Sequence, residues 1–550
     1  MDFCNYLYLN MKRLLCISLL IAISALSQAQ FLGIGKKKNK TETQPAEIER
    51  IFDVIDMIGN NYVDVPNNDK LSEAAINAML KTLDPHSIYI PAKDVERTNE
   101  ALVGNFEGVG ITFQIVNDTI MVSDVIAGGP SEEVGLAIGD KIVRIDGLPA
   151  TGDSVNNTFV TSHLRGKKGS IVVLDILRMG KIYSFSIRRD KIPIYSIDSY
   201  FMADDTIGYV RLVRFSRTSV TEFRKAVDSL KAKGMKSLIL DLRGNGGGYL
   251  DIACGMANEF LKQGSLLVYT EGRKSKRQNF RANRNGCFRQ GDLVVLIDEG
   301  SASASEIVSG AIQDYDRGTL VGRRSFGKGL VQHMFPLKDG GQVRLTTARY
   351  YTPSGRCIQK PYDAGADAYR EDINNRFKHD ELVNADSIHF PDSLKYKTAS
   401  GRTVYGGGGI MPDVFVPMDT MRLTDFYINL RAKGVLNNFA AEWANQHRGE
   451  TLVRDFDTYM QNYELLHLDS LLEVYAASKD VVRDTAKEYA DSLRAAHSDF
   501  YLRASVKALV ARGLFGTEYY FMVMRDIDEA YLKALSILRK ESNAEDLNEK

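Results

Sequence analysis

The sequence predicts a multidomain α+β protein with four folded parts: a helical N-terminal domain, a small β domain, a βαβ-rich α/β core and a helical C-terminal extension. Three observations predict this. Apolar residues recur at helical spacing before residue 104 and again beyond residue 420. Short alternating strands separated by glycine turns fill residues 104–190. From 191 to 419, apolar strands alternate with amphipathic helices, the pattern of a largely parallel sheet. A chain of 550 residues has room for several cores, and the match of 70 Lys+Arg to 70 Asp+Glu gives no basic footprint, so nucleic acid is not an expected partner.

Residues 1–29 read as a signal peptide. Lys12 and Arg13 precede an apolar run over 14–26, and Ser27, Gln28 and Ala29 have the small-residue character of a cleavage site. Met11 is an alternative start. The run is short for a membrane span, so cleavage and export to the periplasm or cell envelope are expected, with an uncleaved anchor as the alternative. Residues 30–46 are a polar, basic linker.

Over 47–103, Ile51, Val54, Ile55 and Ile58 mark one helix face, and Leu71, Ala75, Ile76, Met79 and Leu80 mark another. The second helix ends by Asp84-Pro85. In 104–190 the strands ITFQIV, TIMVSDVI, KIVRIDG, SIVVLDILR and KIYSFSIRR surround one expected short helix over 130–136. In 191–419, YVRLVRF, SLILDL and LVVLID are strands, with helices expected over 220–233, about 249–261, and 303–315. Residues 420–550 are mostly amphipathic helix, clearest over 465–476 and 526–539.

Cys4 and Cys16 lie in or before the signal, leaving Cys254, Cys287 and Cys357 without metal-ligand spacing. No metal and no cofactor is expected. The count leaves open a Cys254–Cys287 disulfide or three buried thiols.

The chemistry concentrates between residues 241 and 332. The strand LVVLID runs into Gly300-Ser301-Ala302-Ser303-Ala304 and then a helix. Ser303-x-x-Glu306 before Ile307 and Val308 has the form of a capping box. A cap alone does not require the run of small residues, which would let a substrate backbone approach. A serine at a strand-to-helix turn is also well placed as a nucleophile, since the helix start favours developing negative charge.

The glycine-rich Arg243-Gly244-Asn245-Gly246-Gly247-Gly248 follows a strand, and its amides can converge on an oxyanion or phosphate. Lys328 lies between Gly327 and Gly329, with Phe326, Leu330 and Val331 as an apolar setting that would favour the neutral amine, and with Gln332 as a hydrogen-bonding partner. Gly322-x-x-x-x-Gly327-Lys328 imitates a phosphate-binding loop. Gly329 stands where the magnesium-binding hydroxyl belongs, however, and 330–336 reads as strand rather than helix. A Ser–His–Asp triad would draw on His86 or His333, neither of which sits in a triad motif.

Taken together, LILDLRGNGGG, IDEGSASASEI and GRRSFGKGLVQ resemble the C-terminal processing (tail-specific) peptidases, with the likeness running from about residue 47 to 417 and including TLDPHSIYI. The resemblance implies a serine peptidase core of the crotonase/ClpP-like kind using a Ser/Lys dyad. Ser303 falls on the nucleophile, Lys328 on the general base and Gln332 on its supporting glutamine. The oxyanion hole would use the Ala304 amide and a glycine amide of the GNGGG loop. Many members carry proline where this chain has Gly246, which leaves Gly247 or Gly248, and Gly247 is the expected donor. Glu306 matches the family pattern and is expected to be structural.

The same resemblance makes 104–190 a PDZ domain whose Gly110 and Ile111 amides face a substrate C-terminus. Protein or peptide substrates with exposed C-termini follow as partners. An adaptor or homodimer through the helical regions and peripheral membrane association stay open. The rival reading is a catalytically inactive PDZ-bearing scaffold or peptide-binding protein.

Overall fold

The computed structural model describes residues 46–126 and 128–540, so the signal-peptide expectation and nearly all of the linker lie outside the described residues. The chain divides into two compact units after Ala75. The first contains α1 (Ala46–Asn61), an amphipathic helix with Glu47 and Glu49 in its first turn, where acidic side chains suit the helix dipole. Helix α2 (Asn68–Lys81) begins there and ends in the second unit.

After α2 the second unit continues with β1 (Ile88–Ile90) and α3 (Ala92–Val103), neither of which the helical periodicity separated out. The β domain follows. Strand β2 (Asn105–Gly108) pairs with β9 (Asp190–Pro193) as its stem. Between them, β3 (Ile111–Val116), β4 (Thr119–Val125), β5 (Lys141–Ile145), β7 (Ile171–Arg178) and β8 (Lys181–Arg188) form one antiparallel sheet, with β6 (Leu148–Pro149) paired on β5. All five predicted strands are present.

The prediction of a single helix in this domain is corrected. Besides α4 (Pro130–Glu133) there is α5 (Asn157–Leu164). Its segment carries β-branched Thr158, Val160 and Thr161 and has weak helix propensity, which hid it. Tertiary packing overrides propensity here: Val160 and Leu164, one turn apart, are buried in the domain core, and Asn156 Oδ1 accepts the Phe159 N–H at 2.9 Å as an N-cap.

The α/β core is built on a six-stranded sheet in the order β10 (Ile197–Met202), β11 (Ile207–Leu212), β12 (Ser237–Asp241), β15 (Leu293–Ile297), β16 (Thr319–Gly322) and β21 (Val414–Phe415). Its strands are parallel except for the β10–β11 pair. Helix α6 (Ser219–Ala232) connects β11 to β12, α7 (Leu250–Ala257) follows β12, and α8 (Ala304–Asp314) connects β15 to β16.

Strands β12 and β15 are apolar without alternation because both faces of the sheet are covered. Leu238, Leu240, Val295 and Ile297 pack with α6–α8, while the intervening Ile239, Val294 and Leu296 belong to the cluster on the other face. Each such buried side chain contributes about 1.5–3 kcal/mol.

A second, antiparallel sheet pairs β1 with β18 (Gln342–Tyr351), β18 with β13 (Leu266–Glu271), and β13 with β14 (Gln278–Arg281). Strand β17 (Leu330–Pro336) also pairs with β18, as the strand reading of 330–336 required. Helix α9 (Ala366–Lys378) and the hairpin β19 (Lys395–Lys397) and β20 (Thr403–Tyr405) complete this region.

Between residues 420 and 540 the chain is helical: α10 (Asp425–Ala432), α11 (Val435–His447), α12 (Phe456–Asn462), α13 (Leu468–Ala477), α14 (Thr485–Ala490), α15 (Ser492–Phe515), α16 (Thr517–Met524) and α17 (Glu529–Arg539). Helices α10–α13, α15 and α16 share a core of their own. Helix α17 does not join it. Ala530, Tyr531, Ala534, Leu535 and Leu538 form its apolar stripe, and they cover the far face of the central sheet.

Candidate active site

Strand β15 delivers the chain to a tight turn, and Ser303 stands at its end, immediately before α8. Its backbone has φ 55° and ψ −109°, a combination that costs a non-glycine residue of order 1–3 kcal/mol unless its surroundings enforce it. The surroundings do. The Ser303 N–H donates to Glu306 Oε2 at 2.8 Å, and its carbonyl accepts from the Tyr350 hydroxyl at 3.1 Å and the Ile307 N–H at 3.0 Å. A strained serine thus stands between strand and helix, at the start of α8.

Lys328 is held by the same two side chains. Glu306 Oε1 accepts the Gly327 N–H at 2.7 Å and the Ser325 hydroxyl at 2.6 Å, while Oε2 accepts the Lys328 N–H at 2.9 Å. The one Tyr350 hydroxyl proton is shared between the Ser303 carbonyl and the Lys328 carbonyl, which lies 2.8 Å from the phenol oxygen. Glu306 is fully buried. Burial pushes its pKa up, yet each oxygen accepts two hydrogen bonds, an arrangement that suits the carboxylate. The predicted structural role of Glu306 therefore has a definite content: one buried carboxylate fixes the backbone of both Ser303 and Lys328.

The Lys328 ammonium donates to Gln332 Oε1 at 3.3 Å, and the Gln332 amide donates to the His86 carbonyl at 2.5 Å. Among the described residues no hydrogen bond joins Lys328 Nζ to Ser303 Oγ. The lysine pKa is lowered, first by burial and then by the positive charge of Arg344, with Glu306 and Asp84 opposing.

The glycine-rich loop crosses directly under the serine turn. The Ala302 N–H donates to the Asn245 carbonyl at 3.0 Å, the Ser305 hydroxyl to the same carbonyl at 2.7 Å, and the Ser301 hydroxyl to the Leu242 carbonyl at 2.8 Å. Gly247 has φ +101°, and a Cβ there would lie 2.8 Å from the Ala302 carbonyl oxygen and 2.9 Å from the Ala304 nitrogen, so glycine is required.

The Gly247 amide departs from the expectation placed on it. It donates to Asn245 Oδ1 at 2.9 Å and is already engaged. The Phe215 N–H donates to the Gly247 carbonyl and the Tyr249 N–H to the Phe215 carbonyl, so the intervening Gly248 N–H lies on the opposite edge of this short stretch. Among the described residues neither Gly248 N–H nor Ala304 N–H has a partner.

Ser303, Ala304, Gly247, Gly248, Lys328 and Gln332 line one cleft of about 280 Å³. A separate groove of about 270 Å³ lies in the β domain, where Gly110 (φ +81°) and Ile111 line it with Val109, Phe113, Thr161 and Leu164. Helix α5, which the sequence did not reveal, forms its second wall.

His86 is the residue of the TLDPHSIYI segment whose position mattered most. Its ring packs against Tyr369 with Nε2 3.0 Å from the phenol, and burial, then the charge of Lys328, lowers its pKa to about 4. Asp84 shapes this turn by accepting the N–H groups of His86 and Ser87, each at 2.8 Å. His333 is bonded to Thr347. Among the described residues no histidine hydrogen-bonds to Ser303. The chain after Lys328 is strand β17, which a phosphate-binding loop would not allow.

Tyr350 gave no sequence signal at all. Gly406–Gly409 pack behind the lysine: a Cβ on Gly327 would lie 3.1 Å from the Gly409 nitrogen. Cys254, Cys287 and Cys357 are free thiols and half-buried, neither the Cys254–Cys287 disulfide nor three fully buried thiols, and burial pushes the first two up to about 12. Among the described residues no group of three or more metal-ligating side chains comes together.

The chain is similar to known proteins over most of its length. Residues 206–366 match the peptidase family S41, residues 108–188 the PDZ domain, and residues 19–94 the N-terminal domain of the activating protease CtpB. Residues 426–516 match a family of unknown function. The carboxy-terminal-processing protease of Bartonella bacilliformis is 36% identical over 346 residues, covering 62% of this chain and 78% of that protein. The carboxy-terminal processing protease CtpA of Bacillus subtilis is 33% identical over 329 residues, 60% of this chain and 69% of its own. A photosystem II D1 C-terminal processing protease of known structure is 26% identical, covering 67% of this chain and 87% of its own, with a TM-score of 0.36. With a PDZ domain preceding an S41 peptidase core, the chain belongs to the carboxy-terminal-processing serine proteases of peptidase family S41.

Proposed function

We propose that this protein is an exported endopeptidase in which Ser303 is the nucleophile and neutral Lys328 the general base. The observation that carries the reading is the shared anchorage of the two residues, because Glu306 and Tyr350 each bind the backbone of both. Ser303 Oγ gives its proton to Lys328 Nζ as it bonds to the scissile carbonyl carbon, and the carbonyl π electrons move onto oxygen. The Ala304 and Gly248 N–H groups receive that oxyanion, Gly248 replacing Gly247 because its amide is open. The oxyanion collapses and the C–N bond breaks, with Lys328 returning the proton to the departing amine. Water then hydrolyses the acyl-enzyme, again with Lys328 as base. Gln332 orients the lysine amine, and His86 fixes Gln332 through its carbonyl.

Substrates are held by their C-termini in the β-domain groove, where Gly110 and Ile111 begin the strand that receives the carboxylate and Val109, Phe113 and Leu164 favour an apolar last residue. Export rests on Lys12, Arg13 and the apolar run after them. The experiment is digestion of an unfolded protein with an apolar C-terminus by the full chain beside Ser303→Ala and Lys328→Ala. Cleavage is expected to vanish in both variants while the C-terminal peptide still binds. Cleavage surviving in Lys328→Ala would remove the dyad. Peptide binding without cleavage by the unmodified chain would leave only a peptide-binding scaffold.

A further inference from the structure

Helix α17 reaches the chemistry through one carboxylate. Arg243 lies at the end of β12 and immediately precedes the glycine-rich loop. Its guanidinium is gripped on both sides. Asp241 accepts from Nε at 3.0 and 3.1 Å and from Nη2 at 2.6 Å. Asp528 accepts from Nη1 through Oδ1 at 2.8 Å and from Nη2 through Oδ2 at 2.7 Å, a two-pronged pair. Asp241 is itself buried and fixed by the Tyr209 hydroxyl at 2.7 Å. Asp528 caps α17, accepting the Tyr531 N–H at 3.1 Å, and α17 is sealed to the central sheet by its apolar stripe.

The next residue continues the chain of contacts. The Gly244 N–H donates to Asp298 Oδ1 at 2.8 Å, and the same oxygen accepts the Gly300 N–H of the serine turn at 3.0 Å. We propose that Asp528 is a positioning residue for catalysis: through Arg243 it sets the glycine-rich loop against Ser303, making α17 part of the catalytic framework. The proposal rests on the reading above, in which that loop supplies an oxyanion amide. A loop anchored only by Asp241 leaves half of the guanidinium fork unpaired beside a cavity of about 330 Å³ that water can enter. The amide would then be displaced rather than removed, and the loss falls on the transition state more than on substrate binding.

Asp528→Asn is the clean test, because asparagine caps helices as well as aspartate does, while the charge and one of the two oxygens that accept from Arg243 are lost. The full chain and this variant are compared for kcat, KM, affinity for a peptide aldehyde that forms a tetrahedral adduct with the serine, and thermal midpoint. Expected are a fall in kcat of about ten- to a hundredfold, a parallel fall in aldehyde affinity and an unchanged KM. Asp528→Glu should recover part of the loss. Unchanged kcat and aldehyde affinity in a folded Asp528→Asn would overturn the proposal. So would a loss that only tracks the unfolded fraction. Ser303→Ala runs alongside: cleavage surviving there sinks the underlying reading of the site, whatever Asp528→Asn does.

Discussion

Glu306→Gln is the sharpest perturbation of the site because it changes one atom and almost no volume. The carboxylate accepts four hydrogen bonds, two on each oxygen, from Ser303 N, Lys328 N, Gly327 N and the Ser325 hydroxyl. An amide keeps one accepting oxygen and turns an NH2 donor towards two other donors. With the NH2 towards Ser303 N and Lys328 N two of the four bonds are lost; with it towards Gly327 N and the Ser325 hydroxyl, which can turn to accept, at least one is lost. At roughly 1.5–3 kcal/mol for each hydrogen bond to a charged group, about 1.5–6 kcal/mol is withdrawn from a residue with no solvent access.

That is a large share of an ordinary net stability of about 5–15 kcal/mol, so the variant should melt early, by roughly 2–4 °C per kcal/mol. The loss should also be local. Ser303 sits at φ 55° only because its neighbours hold it there, and relaxing it releases about 1–3 kcal/mol. The turn therefore gives way before the fold does. Peptide cleavage and a thermal melt on the same preparation separate the two effects. The expected outcome is a folded variant with a lower melting point and kcat down by at least about a hundredfold. A variant that melts with the unmodified chain and cuts at its rate would refute the claim that Glu306 joins the serine and the lysine.

Two further outcomes follow from the same geometry. Lys328 must be neutral to act as base and burial lowers its pKa, so cleavage should rise with pH through that lowered value and fail on the acid side. The Arg344 charge lowers it further, so Arg344→Met should move this rising limb to higher pH, and a pH–rate profile whose limb stays or moves to lower pH contradicts the reading. Gly247→Ala places a Cβ within 2.9 Å of two backbone atoms of the serine turn, which cannot swing aside as a side chain could. Its cleavage rate should drop by about a hundredfold while C-terminal peptide binding is retained, and normal turnover would show that the loop and the turn do not need their close approach.

What the sequence displayed well was everything local. The unbroken apolar runs of β12 and β15, the small-residue turn before α8 and the glycines around Lys328 each announce themselves within ten or so residues, since strand burial and tight turns restrict the residue types at those positions. Helix α5 escaped because its propensity is weak and only packing of Val160 and Leu164 makes it a helix. Gly247 drew attention as an amide donor, yet its amide is spent on Asn245, and what the site requires of it is the missing side chain. Pattern shows that a glycine is needed; it does not show which of its atoms is used.

The residues that join the site from a distance left no such trace. Tyr350 lies 47 positions from Ser303 and 22 from Lys328, in a strand whose sequence reads like any other, and its hydroxyl touches both carbonyls. Asp528 lies 285 positions from Arg243, inside the helix expected over 526–539, and in the structure it caps α17. A side chain with two duties displays only the local one. That is why residues 420–550 read as an appendage, although α17 closes the far face of the sheet that carries Asp241 and Ser303. Removing α17 should therefore strip apolar cover from Ile239, Val294 and Leu296 and release Arg243 together, costing the peptidase its stability as well as its rate.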